Sequence, residues 1–271
     1  MNQLDKDTTL CISLSGRPSN IGTRFHNYLY AELGLNFVYK AFTTSDLPGA
    51  VGGIRALGIR GAGISMPFKE RIIEHVDVLH DSAAAIDSVN TVVNENGTLH
   101  AYNTDYQAVV NLLRDNGLPH SHSVAVAGSG GMAKAVVAAV RDYGFTDVTV
   151  LARNEDTGNA LANQYGFDWR RELGTAGPDL LINATPVGMA GGPEAEELAF
   201  TLDAIDEAKV VMDVVAAPAA TPLIRAAAER RKTVITGAEV IALQAAEQFV
   251  LYTGVRPTPE EIRRASEYSR S

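Results

Sequence analysis

The chain is poor in cysteine, in net positive charge and in long apolar runs. Cys11 is the only cysteine in 271 residues, so no intrachain disulfide can form. A reducing, cytoplasmic setting is expected from that. The formal net charge is −9, which argues against a non-specific hold on nucleic acid, and an anionic ligand would need local cations. No apolar stretch approaches the ~20 residues of a membrane span, so no membrane association is expected. Met1-Asn2-Gln3-Leu4-Asp5 is polar and acidic, without a signal-peptide core. His-Glu-x-x-His, Gly-x-Ser-x-Gly and Walker signatures are missing, and the six histidines are scattered. His120-Ser121-His122 reads as a polar linker, and no metal site is expected. Apolar residues make up 46% of the chain, which fits a globular protein of one large or two smaller domains.

What is present is a Gly-rich turn between two regular segments. Val124-Ala125-Val126-Ala127 is a short strand-like run, Gly128-Ser129-Gly130-Gly131 a turn, and Met132-Ala133-Lys134-Ala135 the start of an Ala-rich helix. A strand, a tight turn and a helix N-terminus form an anion site of the kind that holds a dinucleotide pyrophosphate. Gly128 permits the turn, and Gly130 lets the backbone come close to the phosphates. The following strand, Val148–Leu151, ends in Ala152-Arg153-Asn154. An acid there would bond the ribose hydroxyls of NAD, whereas Arg153 suits a 2′-phosphate. NADP is therefore the expected cofactor, with NAD also possible.

Periodicity divides the chain. Strands are expected at Thr8–Leu14, Asn36–Phe42 and Ile59–Ser65, with helices at Ile21–Leu33 and from Asp46 to Leu57. Val89–Asn94 and Thr98–Asn103 flank Glu95-Asn96-Gly97, a hairpin signal that makes this first sheet mixed. Thr104 is expected to cap a helix over Asp105–Asn116. Alternation of strand and helix then continues through Asp179–Asn183, Val210–Val214 and Thr233–Ile235, with helices at Thr157–Tyr165 and Pro222–Arg230. That alternation implies a parallel, doubly wound sheet. The closing helices, Glu239–Tyr252 and Pro259–Ser269, are assigned to the first domain. The expected fold is α/β in two domains: residues 1–104 completed by 238–271 for substrate, and 105–237 for the dinucleotide.

Three further stretches carry chemistry. Ser65-Met66-Pro67-Phe68-Lys69 places a lysine at an expected helix start, where the dipole disfavours a cation, so the lysine has another task or is a surface side chain. Asp87-Ser88-Val89-Asn90-Thr91 puts Asn90 where the hairpin begins. Tyr102-Asn103-Thr104-Asp105 puts an acid in a first helical turn, where a plain dipole role is also available. A lysine ammonium can polarise a ketone and protonate the nascent alkoxide, and a carboxylate can orient it.

Together these stretches resemble the shikimate/quinate dehydrogenase family. Pro67-Phe68-Lys69 resembles its N-V-T-x-P-F-K, Val89-Asn90-Thr91 its A-V-N-T, and Asn103-Thr104-Asp105 its N-T-D. Gly128–Ala133 is similar to G-A-G-G-A-A, and Asn183-Ala184-Thr185-Pro186-Val187-Gly188-Met189 to N-A-T-S-x-G-M. Gly237 with Gln244-Ala245-Ala246 resembles the closing G-x-x-M-L-V-x-Q-A-A. The resemblance implies a Rossmann-type cofactor domain and reversible NADP- or NAD-dependent reduction of a 3-oxo ring acid such as 3-dehydroshikimate. Lys69 and Asp105 would be the catalytic pair, and Asn90 and Gln244 would contact substrate. Around the cofactor it places Gly128, Ser129, Gly130, Gly131 and Met132, then Ala152, Arg153 and Asn154. Thr185, Val187, Met189, Val214 and Gly237 complete that set.

The substrate loop departs from the family pattern, G-x-P-x-x-H-S-x-S-P-x-x-H-N. Here Gly16 to Asn27 is two residues shorter, and in the His26-Asn27 register the two serine positions hold Asn20 and Gly22, and the proline position Thr23. Ser65 replaces Thr, Gly63 replaces Asn, and Ala216 stands where Tyr is common. The carboxylate contact is therefore sought among Ser13, Ser15, Asn20 and Thr23, or the cations Arg17 and Arg24, with Thr23 first among the hydroxyls, and Ser65 is expected to contact the substrate as well. The partner expected is a small anionic ring polyol acid, and the assembly a monomer or homodimer. Two alternatives stay open: a dehydrogenase of quinate or an amino-substituted analogue using NAD, and a non-catalytic nucleotide-binding sensor.

Overall fold

The computed structural model describes residues 4–174 and 177–271. Of the polar N-terminal stretch, Met1, Asn2 and Gln3 lie outside the described residues. The chain divides into two compact units, Met1–Thr104 with Ala242–Ser271, and Asp105–Ile241.

The first unit opens with β1 (Thr9–Leu14), α1 (Asn20–Glu32), β2 (Phe37–Phe42), α2 (Leu47–Ala56) and β3 (Gly61–Ile64). A 3₁₀ turn at Ile73–His75 precedes β4 (Val78–Leu79) and the one-turn α3 (Asp81–Ala84), then the hairpin β5 (Thr91–Glu95) and β6 (Thr98–Tyr102). The sheet is mixed, in the order β2-β1-β3-β5-β6-β4. Glu95 pairs with Thr98, so Asn96-Gly97 is a two-residue turn with both residues at positive φ, 54° and 92°. Alternation in β1 sends Ile12 and Leu14 to one core with Leu47, Ile54 and Val92. Cys11 goes to the other, with Phe25, Leu29, Tyr39, Phe249 and Tyr252.

The second unit holds α4 (Thr104–Asp115, its first residue in the first unit), β7 (Val124–Ala127), α5 (Gly131–Tyr143), β8 (Val148–Leu151), α6 (Glu155–Tyr165) and β9 (Asp168–Arg170). It continues with β10 (Leu180–Asn183), α7 (Leu202–Glu207), β11 (Val210–Asp213), α8 (Pro222–Glu229) and β12 (Thr233–Ile235). Its strands are all parallel, in the order β12-β11-β10-β7-β8-β9, which is the Rossmann-type order with its switch point between β10 and β7. Every residue of β7, β10 and β11 is buried, as expected of central parallel strands covered on both faces. Thr221 caps α8 by accepting from the Ile224 N–H at 3.2 Å, with Pro222 in the first turn. Two helices close the chain, α9 (Gly237–Thr253) and α10 (Pro259–Arg270), the latter begun by a Thr258–Glu261 capping box. No helix of the described residues is long and apolar enough to cross a membrane.

Several local expectations are corrected. Lys69 stands in a run of turns ahead of the 3₁₀ turn, not at a helix start, so the dipole argument does not apply to it. Thr104 is already helical, and its hydroxyl turns to Asn90 rather than capping α4. The short elements β4, α3, β9 and α7 carry too few residues to show a period in sequence.

Candidate functional site

In the first unit the candidate residues gather at the C-terminal ends of β1 and β3. The backbone of Ser65 donates to Leu14 O at 2.9 Å, and that of Gly16 to Met66 O at 2.9 Å, which locks the two strand ends side by side. Ser15 and Ser65 are placed there together. The Ser15 hydroxyl accepts from Arg17 N at 3.1 Å. The Val89 N–H donates to Lys69 O at 2.9 Å, so the Lys69 backbone is fixed beside the Ser88–Asn90 corner, and Ile64 N donates to Asn90 O at 2.7 Å.

Asn90 is the hub. Its Oδ1 accepts from Thr91 Oγ1 at 2.8 Å, Thr104 N at 2.8 Å and Thr104 Oγ1 at 3.2 Å, and its Nδ2 donates to Gln244 Oε1 at 3.3 Å. Gln248, one helical turn beyond Gln244, donates to Asn90 O and to Thr91 Oγ1, each at 3.0 Å. Asn90 is 2% exposed, so the bonds with Thr91, Thr104 and Gln248 count at the strength of buried ones, while the bond to Gln244 is only partly buried. Gln248 was not anticipated; its spacing from Gln244 on one helix face is the signal that was there to read. Asp105, the second residue of α4, is buried.

The shortened loop is placed differently from any clamp of paired hydroxyls. α1 begins at Asn20, which is exposed, so Gly22 and Thr23 lie in its first turn. Thr23 O accepts from Asn27 Nδ2 at 2.8 Å. Arg24 donates to the Ser271 carbonyl, at the C-terminus.

In the second unit the Gly-rich turn follows β7 as expected. Gly128 has φ of 122°, and a Cβ there would stand 2.8 Å from Ala184 O, so only glycine fits. Gly130 is the N-cap of α5, and a Cβ there would face open space. A cavity of about 790 Å³ opens at this turn, lined among others by Gly128, Ser129, Gly130, Ala152, Arg153 and Asn154, and by Thr185 and Val187 across the switch point. These groups fit a dinucleotide: a helix N-terminus without a side-chain cap, a turn whose one side chain is the short Ser129, and a cleft of the volume that cofactors occupy. The Ser129 hydroxyl meets that of Thr157 at 2.8 Å, tying the turn to α6. Asn154 has a second duty as the N-cap of α6, accepting from Thr157 N at 3.1 Å. Gly131, Met132, Met189, Val214 and Gly237 lie outside the lining of this cavity. Gly237 instead meets a packing need, since a Cβ there would lie 2.0 Å from Val215 O.

The far wall of the cavity is shaped by a buried network. Asn183 Oδ1 accepts from Thr185 N at 3.0 Å and Thr185 Oγ1 at 2.6 Å, and its Nδ2 donates to Val187 O at 3.1 Å and Asp213 Oδ1 at 3.0 Å. Asp213 also accepts from Val215 N at 2.9 Å and Thr221 Oγ1 at 2.6 Å. Burial pushes the Asp213 carboxyl pKa up, and these three donors pull against that shift. Its role is structural, as it holds Asn183, which in turn folds the Thr185–Val187 loop.

One feature was not foreseen. Arg153 is held by Glu194, with Nη1 at 2.8 Å from Oε1 and Nη2 at 3.5 Å from Oε2. Both residues line the cavity, in company with Arg171, Glu172 and Glu197.

Known proteins agree with this architecture. Residues 20–92 match the family model of the shikimate dehydrogenase substrate binding domain. A shikimate dehydrogenase-like protein of Haemophilus influenzae is 55% identical over 268 residues, 99% of each chain. The shikimate dehydrogenase (NADP(+)) of Prosthecochloris aestuarii is 34% identical over 94% of this chain and 95% of its own. Among solved structures, the Thermus thermophilus shikimate 5-dehydrogenase in complex with NADP(H) and shikimate superposes with a TM-score of 0.84 at 29% identity, covering 96% of this chain and 99% of that one.

Proposed function

Because the chain belongs to the shikimate dehydrogenase family, we propose that it reversibly reduces 3-dehydroshikimate, or a related 3-oxo cyclohexane acid, to the alcohol. It is an NAD(P)-dependent oxidoreductase acting on a CH–OH group, and NADP is its cofactor. The observation that carries the proposal is the Asn90 hub. The buried Asn90 and Thr104 and the half-buried Gln244 form one polar wall, with the Lys69 backbone fixed at its edge. Such a wall suits a ring bearing several hydroxyls, because its hydrogen-bonding groups are already aligned before the ligand arrives.

A dinucleotide held at the Gly128–Gly131 turn would supply the hydride. Lys69 Nζ holds the ketone oxygen and donates the proton that completes the alcohol; in the oxidative direction it takes that proton back. Asp105 orients the ammonium, and the two act as one proton shuttle. Gly128 and Gly130 leave the backbone open to the pyrophosphate at the N-terminus of α5. Ala152 would leave room beside the adenosine ribose, and Arg153, once released from Glu194, would meet the 2′-phosphate.

The test is a nicotinamide-absorbance screen of shikimate, quinate and amino-substituted ring acids with NADP and NAD, run on wild type, Lys69→Ala and Asp105→Ala. Turnover of a ring acid that falls about 10²–10⁴-fold in each variant is expected. Near-wild-type kcat in Lys69→Ala would refute the shuttle. Cofactor binding without turnover of any ring acid would favour the sensor.

A further inference from the structure

The cofactor cavity carries a second arginine, Arg171, which lines it together with Arg153. The two come from neighbouring strand ends. Arg153 stands just past β8, and Arg171 directly follows β9. These strands are parallel, with Leu151 opposite Arg170, and Ala152 N donates to Arg170 O at 3.2 Å. Trp169 fastens the same strand end: its Nε1 donates to Ala152 O at 3.3 Å. A Cβ on Gly158 of α6 would lie 2.2 Å from that nitrogen, so the indole packs on the helix without room to shift. Arg171 therefore leaves β9 beside Ala152, the position that offers no carboxylate to a ribose. Adjacent strands run ~4.8 Å apart, a gap that an arginine side chain spans easily. Arg170 turns elsewhere. Its Nη1 lies 3.1 Å from the place a Gly174 Cβ would take, and it is not part of the cavity lining.

The two lining arginines differ in what already holds them. Arg153 is paired with Glu194 at 2.8 Å. Among the described residues, no ion pair or hydrogen bond engages the Arg171 guanidinium. Glu172, Glu194 and Glu197 line the same cavity. A phosphomonoester brings about 1.5–2 further negative charges into those surroundings, and Arg153 meets it only after leaving Glu194. The cation open to the phosphate on arrival is Arg171. Its guanidinium stays charged at any working pH and offers a planar fork that matches phosphate oxygens.

We propose that Arg171 is a specificity-determining residue that binds the 2′-phosphate of NADP from β9, ahead of the release of Arg153 from Glu194. The proposal rests on NADP as the cofactor and is independent of which ring acid is reduced. Cofactor choice is then set from two strand ends, by one arginine that is free and one that is restrained. Loss of a charge-assisted bond of this kind lowers affinity about five- to tenfold.

The experiment is isothermal titration calorimetry of the full chain with adenosine 2′,5′-bisphosphate and with 5′-AMP, which differ only in the 2′-phosphate. No turnover is involved. Wild type is expected to prefer the bisphosphate. In Arg171→Gln the Kd of the bisphosphate should rise about five- to tenfold, with that of 5′-AMP within about twofold of wild type. Arg171→Lys keeps the charge and should recover part of the loss. Arg170→Gln removes a like charge from the adjacent residue and should move either Kd by no more than about twofold. Some preference should persist in Arg153→Gln and disappear when Arg171→Gln is added. A wild type that binds both ligands alike overturns the proposal. So does equal weakening of both in Arg171→Gln, the result expected if Arg171 stacks on the adenine or merely supports the cleft. Equal effects of Arg170→Gln and Arg171→Gln overturn it too, because they report a diffuse field and not a contact. A wild type that prefers the bisphosphate but turns over no ring acid leaves Arg171 in place and refutes only the ring-acid reading.

Discussion

Neutralising Glu194 should sharpen the choice of NADP over NAD. Arg153 is the cation proposed to read the 2′-phosphate, yet its guanidinium is held by Glu194 at 2.8 and 3.5 Å. To meet a phosphate it must leave that carboxylate, and the carboxylate then faces a new anion. The ionisable residues of the cavity lining are two arginines against three glutamates, so the surroundings do not offset the loss. The Arg153 side chain is 79% exposed and that of Glu194 24%, so the pair is partly screened and its worth is that of a surface pair, about 0.2–1 kcal/mol. Removing it should therefore raise kcat/KM for NADP by about 1.4- to 5-fold. NAD needs no release of Arg153 and should change little. The assay is kcat/KM for both cofactors in Glu194→Gln, in Arg153→Gln and in the double variant, at low and at high salt. The gain should shrink with salt and vanish in the Arg153→Gln background. Equal gains for NAD and NADP, or a gain that survives without Arg153, would refute the competition.

Three further outcomes are expected. Lys69→Ala with Asp105→Ala should be little worse than either single variant, because a shuttle acts as a unit, and single-turnover rates measure this. Asp213→Ala leaves the donors from Asn183, Val215 and Thr221 without an acceptor; a loss of about 3 kcal/mol or more is expected, seen as a Tm lower by roughly 6–12 °C and a higher KM for NADP. His26 is fully buried, and burial lowers its pKa from 6.5 to about 3 against a smaller upward pull from Gln248. The unfolded chain thus binds a proton below pH 6.5 that the folded chain refuses until about pH 3, so stability is full above that window and falls as pH drops through it. The slope is about 1.4 kcal/mol per pH unit, and denaturant titrations of His26→Gln should lose that component.

The cofactor end of the molecule was the more legible in sequence. The contacts proposed there are backbone ones in a contiguous turn, so glycines at fixed spacing carry most of the information, and Gly128 stands at φ 122°. Central parallel strands such as Val124–Ala127 and Leu180–Asn183 are short, apolar and bounded by turns, and they emerge at the expected places. The Asn96-Gly97 hairpin was equally readable, since two successive positive φ values leave few residue choices. Glu194 was not, because its partner Arg153 lies 41 residues away and nothing local marks the pair.

The substrate end shows why absence in a motif is harder to read than presence. Aligning the shortened loop on His26-Asn27 located two missing hydroxyls and directed attention to neighbours in the chain, Asn20 and Thr23. In the folded unit those positions are the opening turn of α1, with Asn20 exposed. The space left by Gly22 and Gly63 is filled by Tyr39, 17 residues from the one and 24 from the other, reached through strand pairing and not through sequence. His26 and Asn27 served as register marks for the loop, but their side chains are engaged with Tyr39, one by stacking and one by a pair of hydrogen bonds. The same two residues that fix the register therefore also hold the group that occupies the gap. A motif position losing its polar side chain is thus best followed across the sheet, along i to i+2 on each strand, until the atom that has taken the space is found.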